Sequence, residues 1–214
     1  MLNNPYTLAA LALAIGFMLG LGITGYRSNS FQNRGEHHVR EQLQIHFEAP
    51  DFHLLNHITL KLKDGTTQID HILVSRYGVF VIETKDYSGW IFANSQHTTW
   101  TRVLYGGKFK FQNPIFQNFR HTQAVQDLLE FLPPSAIKSV VVFAGTAEFK
   151  TDMPSGVFTM SGLIEHIRSF KEEVLSLNRV QFCVGRLETT RLAITSLTDL
   201  EHLQSLEYRH SKRK

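Results

Sequence analysis

Two apolar runs, Ile69-Asp70-His71-Ile72-Leu73-Val74 and Val79-Phe80-Val81-Ile82, flank the short segment Arg76-Tyr77-Gly78. Their β-branched and aromatic residues are those of strands, and Gly78 is free to take the positive φ of a tight turn, so Gln68 to Lys85 predicts a β-hairpin. Three charged residues stand in this company. Alternation along a strand puts Glu83 and Lys85 on one face, opposite Ile82 and Thr84, and a hairpin brings Asp70 alongside them. Two carboxylates and an ammonium at the end of an otherwise buried hairpin are costly to desolvate unless compensated, and a divalent cation is the obvious compensation. This suggests metal-assisted phosphodiester hydrolysis, with Asp70 and Glu83 holding Mg²⁺ and Lys85 neutralising charge on phosphate oxygens or orienting the attacking water. The same residues also fit a partly exposed strand end with a Glu–Lys surface pair, because Asp, a dozen residues, then Glu-x-Lys is a loose pattern.

Residues 1–26 contain no charged side chain, and Leu8 to Thr24 is almost wholly apolar with Tyr6 and Tyr26 at its ends. About 20 residues span a bilayer core, so Pro5 to Tyr26 predicts a transmembrane helix. A cleaved signal peptide competes with this reading, but the segment lacks a positive n-region, which favours an uncleaved anchor over residues 1–27. Gly16 and Gly20 form a small-xxx-small face that could pair two copies into a homodimer, although glycine is common in membrane spans. Arg27, Arg34 and Arg40 follow the span and no Lys or Arg precedes it. The positive-inside rule then expects a single-pass protein of the inner (cytoplasmic) membrane whose main part faces the cytoplasm.

The lone Cys183 excludes a disulfide framework and a zinc finger, and is expected to fill a strand core. Eleven histidines are scattered; His37-His38, His53, His57, His202 and His210 lack zinc-site spacing and read mostly as surface residues. With 43% apolar and 19% charged residues the chain is a folding one, and one main domain over 28–208 is expected. Net charge is only +3, and Arg209 to Lys214 forms a basic tail suited to nucleic acid, to an anionic leaflet, or to simple solvation.

From Gln32 to Glu48, Val39, Leu43 and Phe47, with Ile45 alongside, predict an amphipathic helix opened by Gly35-Glu36. Glu36 is either an acid favoured near a helix N-terminus or a further metal-site carboxylate. Phe52 to Leu62 reads as a first strand closed by Lys63-Asp64-Gly65. Ser88 to Phe111 suggests an antiparallel extension of the same sheet, with Trp90 and Trp100 packing. Asn113 as N-cap and Pro114 at the first position start a helix running to about Phe131, on which Gln117 and His121 share a face with Arg120 and Ala124 nearby. That pair suits contact with a phosphate or a metal-bound water, and equally a hydrogen-bonded core histidine. Ile137 to Ala144 reads as a buried strand reached by a crossover. Beyond Val157, a helix at about Leu163 to Leu175 and another ending near Tyr208 read as packing.

Together Gly35-Glu36, Thr67-Gln68-Ile69-Asp70-His71-Ile72, Gly78 to Lys85, Tyr87-Ser88-Gly89, Trp100, and Asn113-Pro114 with Gln117-Asn118 and His121 resemble the nuclease-related domain (NERD) family over about Arg34 to Phe131. The resemblance implies an α/β fold of the PD-(D/E)xK nuclease-like superfamily: a mixed β-sheet flanked by helices, a restriction-endonuclease-like core. It implies cleavage of nucleic acid, commonly DNA, with Mg²⁺ or Mn²⁺. It places Asp70, Glu83 and Glu36 as metal carboxylates, Lys85 as the catalytic lysine, and Gln117 and His121 as accessory polar positions. Asp86 follows the lysine where such domains often carry Asn. The alternative it leaves open is a catalytically inactive module of the same fold that binds nucleic acid or acts as a scaffold at the membrane.

Overall fold

The computed structural model describes residues 34–211. The expected anchor over 1–27, its Gly16/Gly20 face and the end of the basic tail lie outside them. Among the described residues no helix is long and apolar enough to cross a membrane.

The chain enters in a helix over 34–46, α1. Val39, Leu43 and Phe47 are buried, as their spacing requires. Ile45 is not on that face: two residues from Leu43 it is carried well round the helix and is 64% exposed. Strands β1 (Phe52–Leu62), β2 (Gly65–Ser75) and β3 (Gly78–Lys85) follow as an antiparallel meander. Gly78 turns at φ +134 in a spot where a Cβ would sit 2.8 Å from the Ala136 carbonyl oxygen. After β4 (Gly89–Phe92), β5 (Thr99–Leu104) and β6 (Gly107–Gln112), helix α2 (Pro114–Leu128) crosses back to β7 (Ile137–Phe143), which pairs parallel with β3. β8 (Ala147–Phe149), β9 (Val157–Thr159), α3 (Met160–Ser169), α4 (Leu177–Thr190) and α5 (Ser196–Ser211) complete the order.

The main sheet runs β1-β2-β3-β7-β9 and is covered on both faces. Val79 and Val81 of β3 point to a core completed by Val125 of α2, by Leu129 that caps it, and by Val180, Cys183 and Leu187 of α4. Phe80 and Ile82 point the other way, toward Val39 and Leu43 of α1 and Leu163 and Ile167 of α3. A mixed α/β domain flanked by helices is therefore what forms. Cys183 fills a core as expected, but from a helix rather than a strand.

Four other expectations are corrected. Residues 89–112 do not extend the main sheet; with β8 they form a second sheet, β6-β5-β4-β8. Gly89 explains the departure: at φ +84, with a would-be Cβ 2.4 Å from the Val103 carbonyl oxygen, it lets the chain after β3 bend into a separate layer. One face of that layer buries Ile91 and Trp100 against Val141 and Phe143. Trp100 is 1% exposed, whereas Trp90, on the other face, is 50% exposed and does not pack into the core. The C-terminal region holds three helices rather than two, because the chain leaves helix after Ser169 and both Val174 and Leu175 donate their amides to the Arg76 carbonyl. Helix α2 ends at Leu128, short of Phe131.

Candidate active site

The β1–β2 and β2–β3 ladders change together at one level. In β1 and β2, Leu55 and Ile58, and Ile69 and Ile72, face the same core although three residues apart, so both strands lose their alternation between those positions. His57, at φ 53, and Asp70 are skipped in the ladder, which passes from Asn56↔His71 to Ile58↔Ile69. The β2–β3 pairing stops at His71↔Ile82, one step before Asp70 and Glu83 would face each other. Beyond that point β2 and β3 part, and Asp70 turns its carboxylate to the strand it has left: the Thr84 amide donates to its Oδ2 at 2.7 Å. Simple alternation anticipates that these residues meet but not the means.

On β3, Glu83 and Lys85 share the face that Val79 and Val81 turn toward α2. Lys85 Nζ donates to Glu83 Oε1 and, at 3.1 Å, to Gln117 Oε1. The other Glu83 oxygen accepts from His121 Nε2 at 3.1 Å, and His121 Nδ1 lies 2.7 Å from the Thr67 hydroxyl. The shared helix face of Gln117 and His121 is thus used in full. Arg120 is not part of the group; it forks onto Asp64 in the β1–β2 turn. Helix α2 is held in register by Asn118, whose Nδ2 lies 2.9 Å from the carbonyls of Val81 and Val140 and from the Ser139 hydroxyl. No role follows for Thr67 or for the Asn118 anchor from spacing; both depend on which strand each helix turn meets.

Burial by itself raises Glu83, but Lys85 and the His121 hydrogen bond overcome it and hold the carboxyl down at about 2. Burial lowers Lys85, and Glu83 and Asp70 more than reverse it, so the ammonium is firmly charged. Asp70 is raised well above the usual carboxylate range, by burial first and then by repulsion from Glu83 and Glu36. Glu36 is also raised, by burial and by Glu83 against the opposing pull of His57 and Lys85. Its position depends on Gly35, where a Cβ would sit 2.4 Å from Asp86 Cβ; only glycine lets α1 approach the end of β3 this closely. A groove of about 410 Å³ opens between the start of α1, Asp86-Tyr87-Ser88 and Gly145, and none of Glu36, Asp70, Glu83 or Lys85 lines it.

Asp70, Glu83 and Glu36 offer hard oxygen donors that repel one another, a set chemically suited to a hard divalent cation. As placed, no group of three or more His, Cys, Asp or Glu among the described residues is arranged to hold a metal ion. In this arrangement Glu83 is turned to Lys85 and His121, and Asp70 to Thr84.

His71 enters the sequence reading only within a motif, yet it is a further buried titratable group outside the cluster. Its Nδ1–H donates to Asn56 Oδ1 at 2.7 Å, and Nε2 has no hydrogen-bond partner among the described residues. Burial, with Arg40 adding to it, pushes the imidazole from 6.5 down to about 4. The folded state therefore binds fewer protons than the unfolded one between those values, so its contribution to stability is complete above pH 6.5 and declines as pH falls to about 4. The loss should be about 3 kcal/mol. Urea unfolding at pH 7, 5 and 4 should show wild type losing ground to His71→Asn by that amount, and parallel curves would refute it.

Fold and site together define a mixed α/β domain with an acid–acid–lysine cluster where its central strands part. The nuclease-related domain model matches residues 32–144, and the chain belongs to the nuclease-related domain family. It is also similar to an uncharacterized protein of Bacillus anthracis, 30% identical over 169 residues that cover 78% of this chain and 72% of that protein. No solved structure matches.

Proposed function

We propose that the chain is a membrane-anchored, cytoplasm-facing nuclease with a restriction-endonuclease-like core, hydrolysing phosphodiester bonds of nucleic acid, DNA foremost, with Mg²⁺ or Mn²⁺. The observation that carries this reading is the meeting of Lys85, Glu83 and Asp70 beyond the last β2–β3 pair, in a family related to nucleases. Asp70, Glu83 and Glu36 would hold the cation, which when bound lowers the pKa of an attacking water and polarises the phosphate. Lys85, fixed between Glu83 and Gln117, keeps its charge and stabilises the phosphate oxygens as negative charge grows on them. His121 and Thr67 orient the Glu83 carboxylate from behind. The anchor rests on the charge-free run 1–26 and the arginines after it, with Gly16/Gly20 a route to a dimer.

One observation favours a second reading, a nucleic-acid-binding or scaffold module without turnover: the Glu83 carboxylate is already paired with Lys85 and hydrogen-bonded by His121. The full chain incubated with single- and double-stranded DNA and RNA, in Mg²⁺, Mn²⁺ or EDTA, separates the two. Cleavage in either metal that stops in EDTA is expected. Binding without cleavage in every metal condition would leave the module.

A further inference from the structure

The second sheet has an outward face that no part of the cluster at Lys85 uses. Strand pairing lines up Trp90 with Val103 and Lys108, and Phe92 with Thr101 and Lys110, on that face. Glu148 is the β8 partner of Trp90, and Lys150 reaches back so that its Nζ lies 4.9 Å from the Trp90 ring centroid. The water-facing side of an antiparallel sheet is ordinarily polar. Here the inner strand β4 exposes two large rings, Trp90 and Phe92, the latter 41% exposed. Around them stand Lys108, Lys110 and Lys150 against one carboxylate, Glu148, which Lys150 already engages.

An apolar protein partner would have to bury those ammonium groups, and a purely electrostatic partner would have no use for the rings. A polyanion that carries flat π-faces satisfies both. Trp90 and Phe92 are two residues apart on one strand, about 7 Å, a spacing that lets two successive bases of an extended strand each take a ring. Bases inside a duplex are already stacked and cannot do so without being extruded. We infer that the β4–β5–β6 face is a stacking platform for single-stranded nucleic acid, with bases on Trp90 and Phe92 and phosphates on Lys108, Lys110 and Lys150. The inference rests on the nucleic-acid reading above for the presence of the polymer; the sheet adds that the bound segment is unpaired. Along the chain β4 follows β3 through Asp86-Tyr87-Ser88.

The two tryptophans make this testable. Trp100 is buried, so quenching of intrinsic fluorescence reports Trp90. In EDTA, which prevents turnover, the full chain titrated with a short oligothymidylate should show saturable quenching, and a duplex of equal length should not. By anisotropy of a labelled oligothymidylate, Trp90→Ala and Phe92→Ala should each weaken binding roughly tenfold, the scale of one lost base stack. Trp90→Phe should keep most of the affinity. Lys108→Gln with Lys110→Gln should weaken binding and flatten its salt dependence. Absence of quenching, equal quenching by duplex, or wild-type affinity in Trp90→Ala overturns the platform. Oligothymidylate binding that depends on Trp90, without cleavage in Mg²⁺ or Mn²⁺, supports the platform while removing the nuclease reading. Cleavage that persists in Trp90→Ala with unchanged affinity does the reverse.

Discussion

Asp70→Asn should lose cleavage on the order of a thousandfold, the scale of a removed electrostatic contact to the transition state, while the folded protein becomes no less stable. The amide oxygen of Asn can still accept the Thr84 N–H that Asp70 Oδ2 accepts now, so the opened end of the hairpin keeps its closure. What disappears is a carboxylate that burial, Glu83 and Glu36 all disfavour. A carboxyl raised in the folded state contributes stability that is complete below its unfolded value and is lost as pH rises through its folded one. Wild type should therefore fall behind Asp70→Asn as pH climbs out of the ordinary carboxylate range, and the gap should level off once Asp70 has ionised. Mg²⁺ added at neutral pH should raise the unfolding midpoint of wild type and leave that of Asp70→Asn nearly unmoved. Thermal unfolding with and without Mg²⁺, beside single-turnover cleavage, measures both parts. A variant that cuts at the wild-type rate, or wild type indifferent to Mg²⁺, would remove Asp70 from the proposed metal site.

Lys85→Met should lose cleavage to a similar degree, but with the opposite effect on stability. Glu83 is 2% exposed and, among the described residues, shares its carboxylate between Lys85 and His121. Removing one partner of a buried pair leaves an uncompensated charge and costs about 3–5 kcal/mol. Lys85 is also the strongest influence holding the Glu83 carboxyl at about 2. A carboxyl lowered in the folded state contributes stability that is lost as pH falls through its folded value, and in Lys85→Met that acid loss should begin at higher pH. The double variant Lys85→Met/Glu83→Gln should recover most of the stability, because the remaining amide still meets His121, and should recover no activity. Denaturant midpoints of the four proteins close the cycle. Equal cutting by wild type and Lys85→Met in Mg²⁺ would end the nuclease reading, and a stable single variant would mean that Glu83 finds another partner.

What could be read before folding was local or periodic. The strand Phe52–Leu62, the Gly78 turn, the Asn113 cap with Pro114 behind it and the buried face of α1 each follow from residue types and 2.0- or 3.6-residue spacing, which act over a few neighbours. The family motifs, and with them Asp70, Glu83, Lys85, Glu36, Gln117 and His121 as candidate positions, were legible because they stand in a fixed order along the chain.

Contacts between distant segments were not legible in this way. Alternation expects Asp70 on the ladder, yet two strands shift phase together at His57 and Asp70, and only their pairing shows that the two shifts meet at one level. The separation of β4–β6 into a second sheet, the exposure of Trp90 beside the burial of Trp100, and the joining of Thr67 to Glu83 through His121 depend on which surfaces meet. Sequence by itself determined most elements up to β7 and the identity of the charged residues, because short-range sterics and the hydrophobic period decide those. Only tertiary structure decided that Asp70 carries a raised carboxyl and Glu83 a lowered one, because burial and neighbouring charge, not residue type, fix the proton.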